Sequence, residues 1–277
     1  MTPQLAAQTI GRARAAQSGW AALSVSRRSA VLGHIRRDIA SRCKHIAATI
    51  AGETSKPALD ALAGDVLVTL EHLRYYETNA PRIMGPRRIG KPSFFFRAAS
   101  FECHFEPHGV ALIFGPSNYP FQLSMIPLMT ALVTGNAVVL KCSERTPETA
   151  TLIRSICAKA GVPDGLVQIL HDHPESSSAL IEAHPDLIFF TGSSHNGQQV
   201  AERAAKHLIP TILELGGKDA GIVFADCHIQ RAVEGVTYGA FSNAGRVCVA
   251  VKRVYVDASI YEEFLLRLKR RVAKLRV

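Results

Sequence analysis

The stretch Gly109–Pro116 reads GVALIFGP and sets the pattern for most of the chain. Its apolar centre, VALIF, is bounded by glycines and a proline, which is typical of a short strand buried on both faces. Similar apolar runs alternate with helical periodicity as far as Leu213. Strands are predicted at 110–114, 137–140, 166–170, 187–190 and 211–213, and helices at 121–133, 147–160 and 192–207. This alternation predicts a doubly wound, Rossmann-like parallel sheet of the α/β class.

The segments on either side of this sheet have patterns of their own. Residues 3–80 carry apolar side chains at helical spacing, which predicts a group of N-terminal helices. Phe101–Pro107 alternates in the manner of an edge strand. After Gly217 a second alternation begins, with strands predicted at 222–224 and 253–256 and helices at 229–241 and from 260 onward.

Two units follow from these patterns. We predict that residues 1–214 form the N-terminal helices together with the doubly wound sheet. Residues 215–277 then begin a second α/β unit, which the sequence leaves incomplete.

The charge of the chain is strongly basic, with 32 Lys and Arg against 23 Asp and Glu and a net charge of +9. Basic residues precede the first acidic residue, Asp38, and also crowd the segment Arg267–Arg276. An Arg-rich, acid-poor start can be a mitochondrial transit peptide, but an amphipathic helix with a solvated basic face is our preferred interpretation. No aromatic-interleaved basic groove accompanies the charge, so nucleic acid is not a predicted partner. A positive field favours anionic ligands such as dinucleotides.

Hydrophobic residues make up 47% of the chain, which is enough for a large core and argues against disorder. No apolar run is long enough to span a bilayer, so no membrane association is predicted. The six cysteines are scattered without Cys-x-x-Cys spacing, and no histidine pair has metal-ligand spacing. We therefore predict no metal site, no disulfide framework and a cytoplasmic location.

Chemically distinctive residues follow the ends of the predicted strands. Asn118, Lys141, Gly192 and Glu214 each lie at or just after such an end, where open α/β sheets form their ligand crevice. Near the C-terminal end, Phe241–Cys248 reads FSNAGRVC and places a cysteine after an Asn-Ala-Gly turn. A thiolate can attack a carbonyl carbon, and a separate carboxylate can then activate water. Taken alone, a cysteine near a glycine is more often a buried packing residue than a nucleophile.

Five motifs occur in a fixed order along the chain. They are GPSNYP at 115–120, GNAVVLKCSE at 135–144, FTGSSHNG at 190–197, LELGGK at 213–218 and NAGRVC at 243–248. Together they resemble the NAD(P)-dependent aldehyde dehydrogenase family. The sequence pattern of residues 107–210 is most similar to the shorter, class-3-like branch of that family. The resemblance implies a dinucleotide-binding domain followed by a catalytic domain.

The resemblance also implies roles for three residues in oxidising an aldehyde substrate. Cys248 matches the nucleophile, which forms a thiohemiacetal and then a thioester. Asn118 matches the side-chain donor of the oxyanion hole, with the backbone N–H of Cys248 as the second donor. Glu214 matches the general base that activates water, so the expected product is a carboxylic acid. An enzyme that transfers the acyl group to coenzyme A would not need this base.

The implied cofactor site lacks the Gly-x-Gly-x-x-Gly fingerprint. Gly192, Ser193 and Gly197 open a helix after a strand, and in the family this position lies beside the cofactor pyrophosphate. Lys141 and Glu144 match residues that reach the adenosine ribose hydroxyls. A carboxylate there repels a 2′-phosphate, so NAD is the expected cofactor, with NADP as a second possibility.

The sequence also departs from the family pattern. Ser117 stands where a Trp is common, and Cys142 replaces a common Pro. The later Glu-x-Phe-Gly-Pro motif is missing, so we expect a C-terminally truncated chain, with a homodimer only for a full-length form. The alternative is an inactive relative that binds only a dinucleotide or a full-length partner.

Overall fold

The computed structural model describes residues 1–90, 93–96, 99–171 and 176–276. The α-helices are α1 (Pro3–Ala21), α2 (Val25–Ser41), α3 (Cys43–Thr54), α4 (Ala58–Asp60), α5 (Val68–Ile83), α6 (Gln122–Val133), α7 (Pro147–Lys159), α8 (Ser176–Glu182), α9 (Ser194–Ala205), α10 (Ile229–Phe241) and α11 (Tyr261–Val272). The strands are β1 (Arg87–Arg88), β2 (Glu102–Cys103), β3 (Val110–Phe114), β4 (Ala137–Lys141), β5 (Val167–Leu170), β6 (Leu187–Thr191), β7 (Thr211–Glu214), β8 (Asp219–Val223) and β9 (Val251–Val256).

The central sheet confirms the predicted fold class. Its five parallel strands are ordered β5-β4-β3-β6-β7, and every residue of β3 and β4 is buried. The chain adds β4 and β5 on one side of β3 and then crosses over to place β6 on the other side. This reversal creates a switch point between β3 and β6, and ligands of doubly wound sheets bind at the carboxyl ends of the strands beside it.

The N-terminal helices are also as predicted, and their starts follow from local chemistry. The Thr2 side chain accepts a hydrogen bond from the Leu5 backbone N–H, and Pro3 occupies the first turn of α1. Trp20, at the end of α1, is buried and donates its indole N–H to the Leu132 carbonyl at 2.8 Å. These helices share one continuous apolar core with the sheet.

Between α4 and α5 the chain forms a π-helical turn at Ala61–Leu67, which helical periodicity alone does not predict. The predicted edge strand at 101–107 is only the two residues of β2, which pair antiparallel with β1 apart from the main sheet. Helix α8 is not among the predicted helices, because its short polar start has no helical periodicity of apolar residues.

The strands and helices predicted after Gly217 are present as β8, β9, α10 and α11, and β8 pairs parallel with β9. The apolar cluster of this predicted second unit is small and is built on Val223, Val233 and Phe264. Several large apolar side chains around this unit are exposed, including Ile222, Phe224 and Tyr255. The boundary after Glu214 stays a prediction. Among the described residues, no helix is long and apolar enough to cross a membrane.

Candidate active site

A cavity of about 510 Å³ lies at the carboxyl ends of the sheet strands. Five of the eight predicted site residues line it: Asn118, Gly192, Ser193, Glu214 and Cys248. They come from the segments that follow β3 and β6, from the end of β7 and from the loop before β9. The cavity also has apolar walls, which are formed by Leu123, Ile126, Pro127, Phe189 and Leu215.

Asn118 is held from two sides. Its side-chain amide donates from Nδ2 to the Arg246 carbonyl at 2.9 Å. Its own backbone carbonyl accepts from Lys56 Nζ at 2.7 Å and from Asn243 Nδ2 at 3.1 Å. A primary amide has two N–H donors, so the bond to Arg246 leaves the second donor for another acceptor.

The loop that carries the cysteine has an uncommon backbone. Asn243, Ala244 and Gly245 have φ values of 52°, 53° and 71°, all in the left-handed region. Asn tolerates this region and Gly favours it, whereas Ala adopts it only under constraint. The constraint comes from hydrogen bonds at both ends of the turn. The Asn243 backbone N–H donates to Asp60 at 3.1 Å, and Arg246 Nη2 donates to the Thr54 carbonyl at 2.5 Å.

Glu214 is exposed at the end of β7, and its backbone joins the neighbouring parts of the site. The Gly192 N–H donates to the Glu214 carbonyl at 3.0 Å, and the Gly217 N–H donates to the Cys248 carbonyl at 3.1 Å. A Cβ atom at position 217 would lie 2.9 Å from the Cys248 carbonyl oxygen. Glycine at 217 therefore permits the close approach of the carboxylate segment to the cysteine loop.

Burial separates Cys248 from the other cysteines. Cys248 is exposed, whereas Cys142 and Cys157 are buried. Burial raises the pKa of the Cys142 and Cys157 thiols to about 12, so both are protonated at neutral pH. Because the thiolate is the reactive form, these two side chains are poor nucleophiles.

The start of helix α9 suits an anionic group. The Ser193 side chain caps the helix by accepting from the Asn196 N–H, and the first turn contains no acidic residue. The positive end of the helix is therefore not neutralised by its own side chains. Gly192 and Ser193 line the cavity at this point, so the residues present fit a dinucleotide diphosphate.

The remaining predicted cofactor residues, Lys141, Glu144 and Gly197, are not among the described residues that line the cavity. Lys141 is buried at the end of β4 and pairs in register with Phe114, and Glu144 is exposed beyond it. Gly197 is buried in the first turns of α9, where a Cβ atom would lie 2.5 Å from Leu215 Cδ2. Its observed contact is with the Leu215 side chain.

A larger cavity of about 840 Å³ lies between Ser55–Asp60, α10 and the C-terminal segment. It contains none of the predicted site residues. Among the described residues, no cluster of three His, Cys, Asp or Glu side chains could hold a metal ion.

Sequence reasoning missed several residues that shape the site: Lys56, Asp60, Asp65, Gly217 and Asn243. Gly217 and Asn243 lie inside two of the quoted motifs, so the neighbouring motif residues indicated that these positions belong to the site. Lys56 and Asp65 gave none, because no local pattern links them to Asn118.

Comparison with known proteins decides the family. The profile described as the Aldehyde dehydrogenase family matches residues 1–277, the whole chain. This chain belongs to the aldehyde dehydrogenase family. Members of the family are oxidoreductases that use NAD(P), so the predicted resemblance is confirmed.

Individual relatives agree with this assignment. The chain is 41% identical over 275 residues to the 4,4'-diapolycopene aldehyde oxidase of Methylomonas sp, covering 99% of this chain and 52% of that protein. It is 36% identical over 271 residues to the 2-hydroxymuconic semialdehyde dehydrogenase of Pseudomonas sp. (strain CF600), covering 94% of this chain and 54% of that protein. This chain thus spans about half the length of these relatives.

Solved structures show the same relationship. An aldehyde dehydrogenase from Brucella melitensis biovar abortus 2308 matches with a TM-score of 0.92 and 26% identity, over 100% of this chain and 56% of that chain. PnpE, solved in complex with nicotinamide adenine dinucleotide, matches with a TM-score of 0.90 and 29% identity, over 97% of this chain and 54% of that chain.

Proposed function

We propose that this chain carries the nucleophile, oxyanion donor and general base that oxidise an aldehyde to a carboxylic acid with NAD⁺ and water. One observation carries the proposal. Cys248, Asn118 and Glu214 come from distant parts of the sequence and line one cavity, together with the start of α9. Family membership alone would leave these roles unassigned, whereas their convergence supplies a nucleophile, a hydrogen-bond donor and a base in one place.

In the first step, the Cys248 thiolate attacks the aldehyde carbon, and a C–S bond forms while the carbonyl π electrons move to oxygen. The free amide N–H of Asn118 and the backbone N–H of Cys248 stabilise that oxyanion. A lost oxyanion donor typically costs about 3 kcal/mol, so this term is a large part of the catalysis. The Arg246 carbonyl orients the Asn118 amide through its other N–H, which accounts for the 2.9 Å bond.

The oxidation leaves a thioester on Cys248, and Glu214 then completes the reaction. In that oxidation the oxyanion re-forms the C=O bond as the C–H bond breaks, and the hydride would pass to a nicotinamide dinucleotide when one is bound. Glu214 takes a proton from water as the water oxygen attacks the thioester carbon, and the C–S bond breaks to release the carboxylic acid and the thiolate. The carboxylate is exposed in the cavity wall, so water reaches it.

The proposed cofactor contacts divide between two regions. Gly192, Ser193 and Gly197 would hold the diphosphate at the start of α9, and Lys141 and Glu144 would hold the adenosine ribose. NAD is the proposed nucleotide, because the Glu144 carboxylate disfavours a 2′-phosphate. NADP is the second possibility. A cytoplasmic location and a homodimer of a full-length form remain part of the proposal.

A second candidate function is dinucleotide binding without turnover, either alone or with a full-length partner. The specific observation in its favour is the exposed apolar surface around Ile222, Phe224 and Tyr255 on the second unit. Ile222 and Tyr255 lie opposite each other in the ladder of β8 and β9, and neighbouring exposed apolar side chains can mark an interaction surface. In this case the reactive residues would be present while the remaining walls of the site come from another chain.

The deciding experiment measures aldehyde-dependent NADH formation by the purified chain and by its Cys248→Ala variant. Cys103→Ala is the matched control, because Cys103 is half-buried in β2 outside the cavity. We expect loss of turnover in Cys248→Ala alone, and equal activity of the two variants would reject the nucleophile. Calorimetric NAD binding without turnover in the parent chain would favour the second candidate.

Glu214→Gln separates water from coenzyme A as the acyl acceptor. If water is the acceptor, the variant still forms the thioester on Cys248. It then releases the acyl group about 10² to 10⁴ times more slowly than the parent chain. Mass spectrometry of the intact chain then shows an added acyl group. An unchanged steady-state rate together with a coenzyme A thioester product would instead support the acyl-transfer alternative.

A further inference from the structure

Beneath Asn118 lies an ion pair that the proposed reaction does not use. Lys56 Nζ lies 2.9 Å from Asp65 Oδ2, and both side chains are 0% exposed. Lys56 follows helix α3, and Asp65 lies in the π-helical turn Ala61–Leu67. Removing two charges from water is costly, and the cost is offset only when further hydrogen bonds satisfy both groups.

Both members of the pair find those further bonds in one short segment. Lys56 Nζ donates to the Asn118 carbonyl at 2.7 Å. Asp65 Oδ1 accepts from the backbone N–H groups of Phe121 and Gln122, each at 3.1 Å, where helix α6 begins. The pair therefore fixes both ends of the segment 118–122, and α6 has no cap from its own N-terminal side chain.

The same segment is joined to the cysteine loop. Asn243 Nδ2 donates to the Asn118 carbonyl beside Lys56, and the Asn118 amide donates to the Arg246 carbonyl. The Asn118 peptide thus has ammonium and amide donors on its carbonyl and a fixed acceptor for its side chain. These bonds leave the residue little freedom to rotate.

We propose that Lys56 is a positioning residue for the aldehyde oxidation, which fixes the Asn118 peptide so that its free amide N–H points at the oxyanion formed on Cys248. This inference rests on the proposed function. An apolar pair of similar volume would often be at least as stable as a buried ion pair. The two charged side chains instead make three hydrogen bonds to the segment 118–122, which hydrocarbon side chains could not make.

The surroundings of Lys56 agree with this role. Burial lowers the pKa of the Lys56 ammonium, and the attraction of Asp65 opposes that shift. Asp60 also favours the charged form, and Arg246 disfavours it. The ammonium lies over the Tyr119 ring, 4.5 Å from its centre, which is a favourable cation–π distance.

Two reagents that react with the same sulfur can isolate the oxyanion hole. With p-nitrophenyl acetate, the Cys248 thiolate adds to the ester carbonyl, an oxyanion forms, and its collapse breaks the C–O bond and expels p-nitrophenolate. With iodoacetamide, the C–S bond forms as the C–I bond breaks and iodide leaves, and no oxyanion develops. The ratio of acylation to alkylation at Cys248 therefore reports on oxyanion stabilisation and not on general thiol reactivity.

The experiment measures both rates at the Cys248 peptide by mass spectrometry, with no cofactor present and with Glu214→Gln in the parent chain and in every variant, so that the acetyl thioester accumulates instead of being hydrolysed. The test variant is Lys56→Met/Asp65→Asn, which removes the ammonium, leaves no unpaired buried charge and keeps an oxygen for the α6 N–H groups. Asn118→Ala is the reference. We expect the ratio to fall about 10²-fold in Asn118→Ala and about tenfold in the double variant, with alkylation within about twofold of the parent chain.

The outcomes are distinguishable. A parental ratio in a folded Lys56→Met/Asp65→Asn variant, together with a reduced ratio in Asn118→Ala, overturns the positioning role and leaves the proposed function standing. A parental ratio in Asn118→Ala, or no acylation of the parent chain, overturns the proposed function and the positioning role with it.

If the double variant does not fold, Asn243→Gly tests whether the hydrogen bonds on the Asn118 carbonyl position the Asn118 amide. It removes the second donor to the Asn118 carbonyl, buries no new charge and suits the left-handed backbone at 243. A reduced ratio supports the positioning of Asn118 through its backbone carbonyl, and a parental ratio overturns it.

Discussion

Gly197 offers a test of how closely helix α9 must approach the strand that carries Glu214. A methyl group at position 197 would place carbon 2.5 Å from Leu215 Cδ2, whereas carbon atoms pack at about 3.5–4.0 Å. Gly197→Ala therefore displaces either the Leu215 side chain or the start of α9 by about 1 Å. Leu215 lines the cavity and follows Glu214, so both displacements disturb the site.

The magnitude follows from a comparison with Gly52→Ala. Gly52 lies within α3, and a Cβ atom there meets nothing within 4 Å. Replacing a helical glycine by alanine is worth about 0.8–1 kcal/mol in either helix. Overpacking costs about 1–3 kcal/mol, and only Gly197→Ala incurs it. We expect Gly52→Ala to exceed Gly197→Ala in unfolding free energy by about 1–3 kcal/mol.

Urea unfolding of both variants and of the parent chain measures this difference, and NAD calorimetry measures the consequence for the site. Gly197→Ala should bind NAD more weakly than Gly52→Ala. Equal gains in stability would show that Leu215 adjusts without cost. Equal NAD affinity in a destabilised Gly197→Ala would show that the start of α9 does not contribute to the cofactor site.

Three further outcomes are expected. Iodoacetamide at pH 8 should label Cys248 and spare Cys142 and Cys157, which peptide mapping would show; labelling of either buried thiol in folded protein would contradict its raised pKa. The pKa of the Cys157 thiol rises from 9.0 in the unfolded chain to about 12 in the folded chain. The contribution of this buried thiol to the free energy of unfolding is therefore complete below pH 9 and is lost as the pH rises towards 12. By pH 10 the loss is about 1.4 kcal/mol, and urea unfolding of Cys157→Ala should show a correspondingly shallower alkaline decline. Glu53→Ala should cost about 1–2 kcal/mol in urea unfolding, because its carboxylate accepts from two N–H groups at the start of α7, and an unchanged midpoint would argue against this cap.

The sheet could be predicted from sequence because each of its strands has a recognisable local pattern of apolar residues. Val110–Phe114 is apolar throughout, and a strand buried on both faces needs that composition. The ends of such strands then indicate where a crevice forms, so Asn118, Gly192 and Glu214 could be placed together before any coordinates.

Other features depend on contacts that leave no local trace. Lys56 meets the Asn118 carbonyl across 62 residues, and neither position has a periodic or motif-based signal. The π-helical turn at Ala61–Leu67 has the same apolar spacing as an ordinary helix over its short length. The sequence pattern predicts that Gly197 belongs to a phosphate loop, yet its close neighbour is the Leu215 side chain. Only the packing of α9 against the sheet reveals that contact.

The hydrogen bonds that pin the cysteine loop have a consequence for biosynthesis. Arg246 bonds to Thr54 across 192 residues, and Asn243 bonds to Asp60 across 183 residues. The loop that carries Cys248 therefore acquires its surroundings only when late-translated chain docks onto helices that left the ribosome earlier. Exchanging the first sixty or so residues between homologues should therefore change the reactivity of the Cys248 sulfur while leaving all five sequence motifs unaltered.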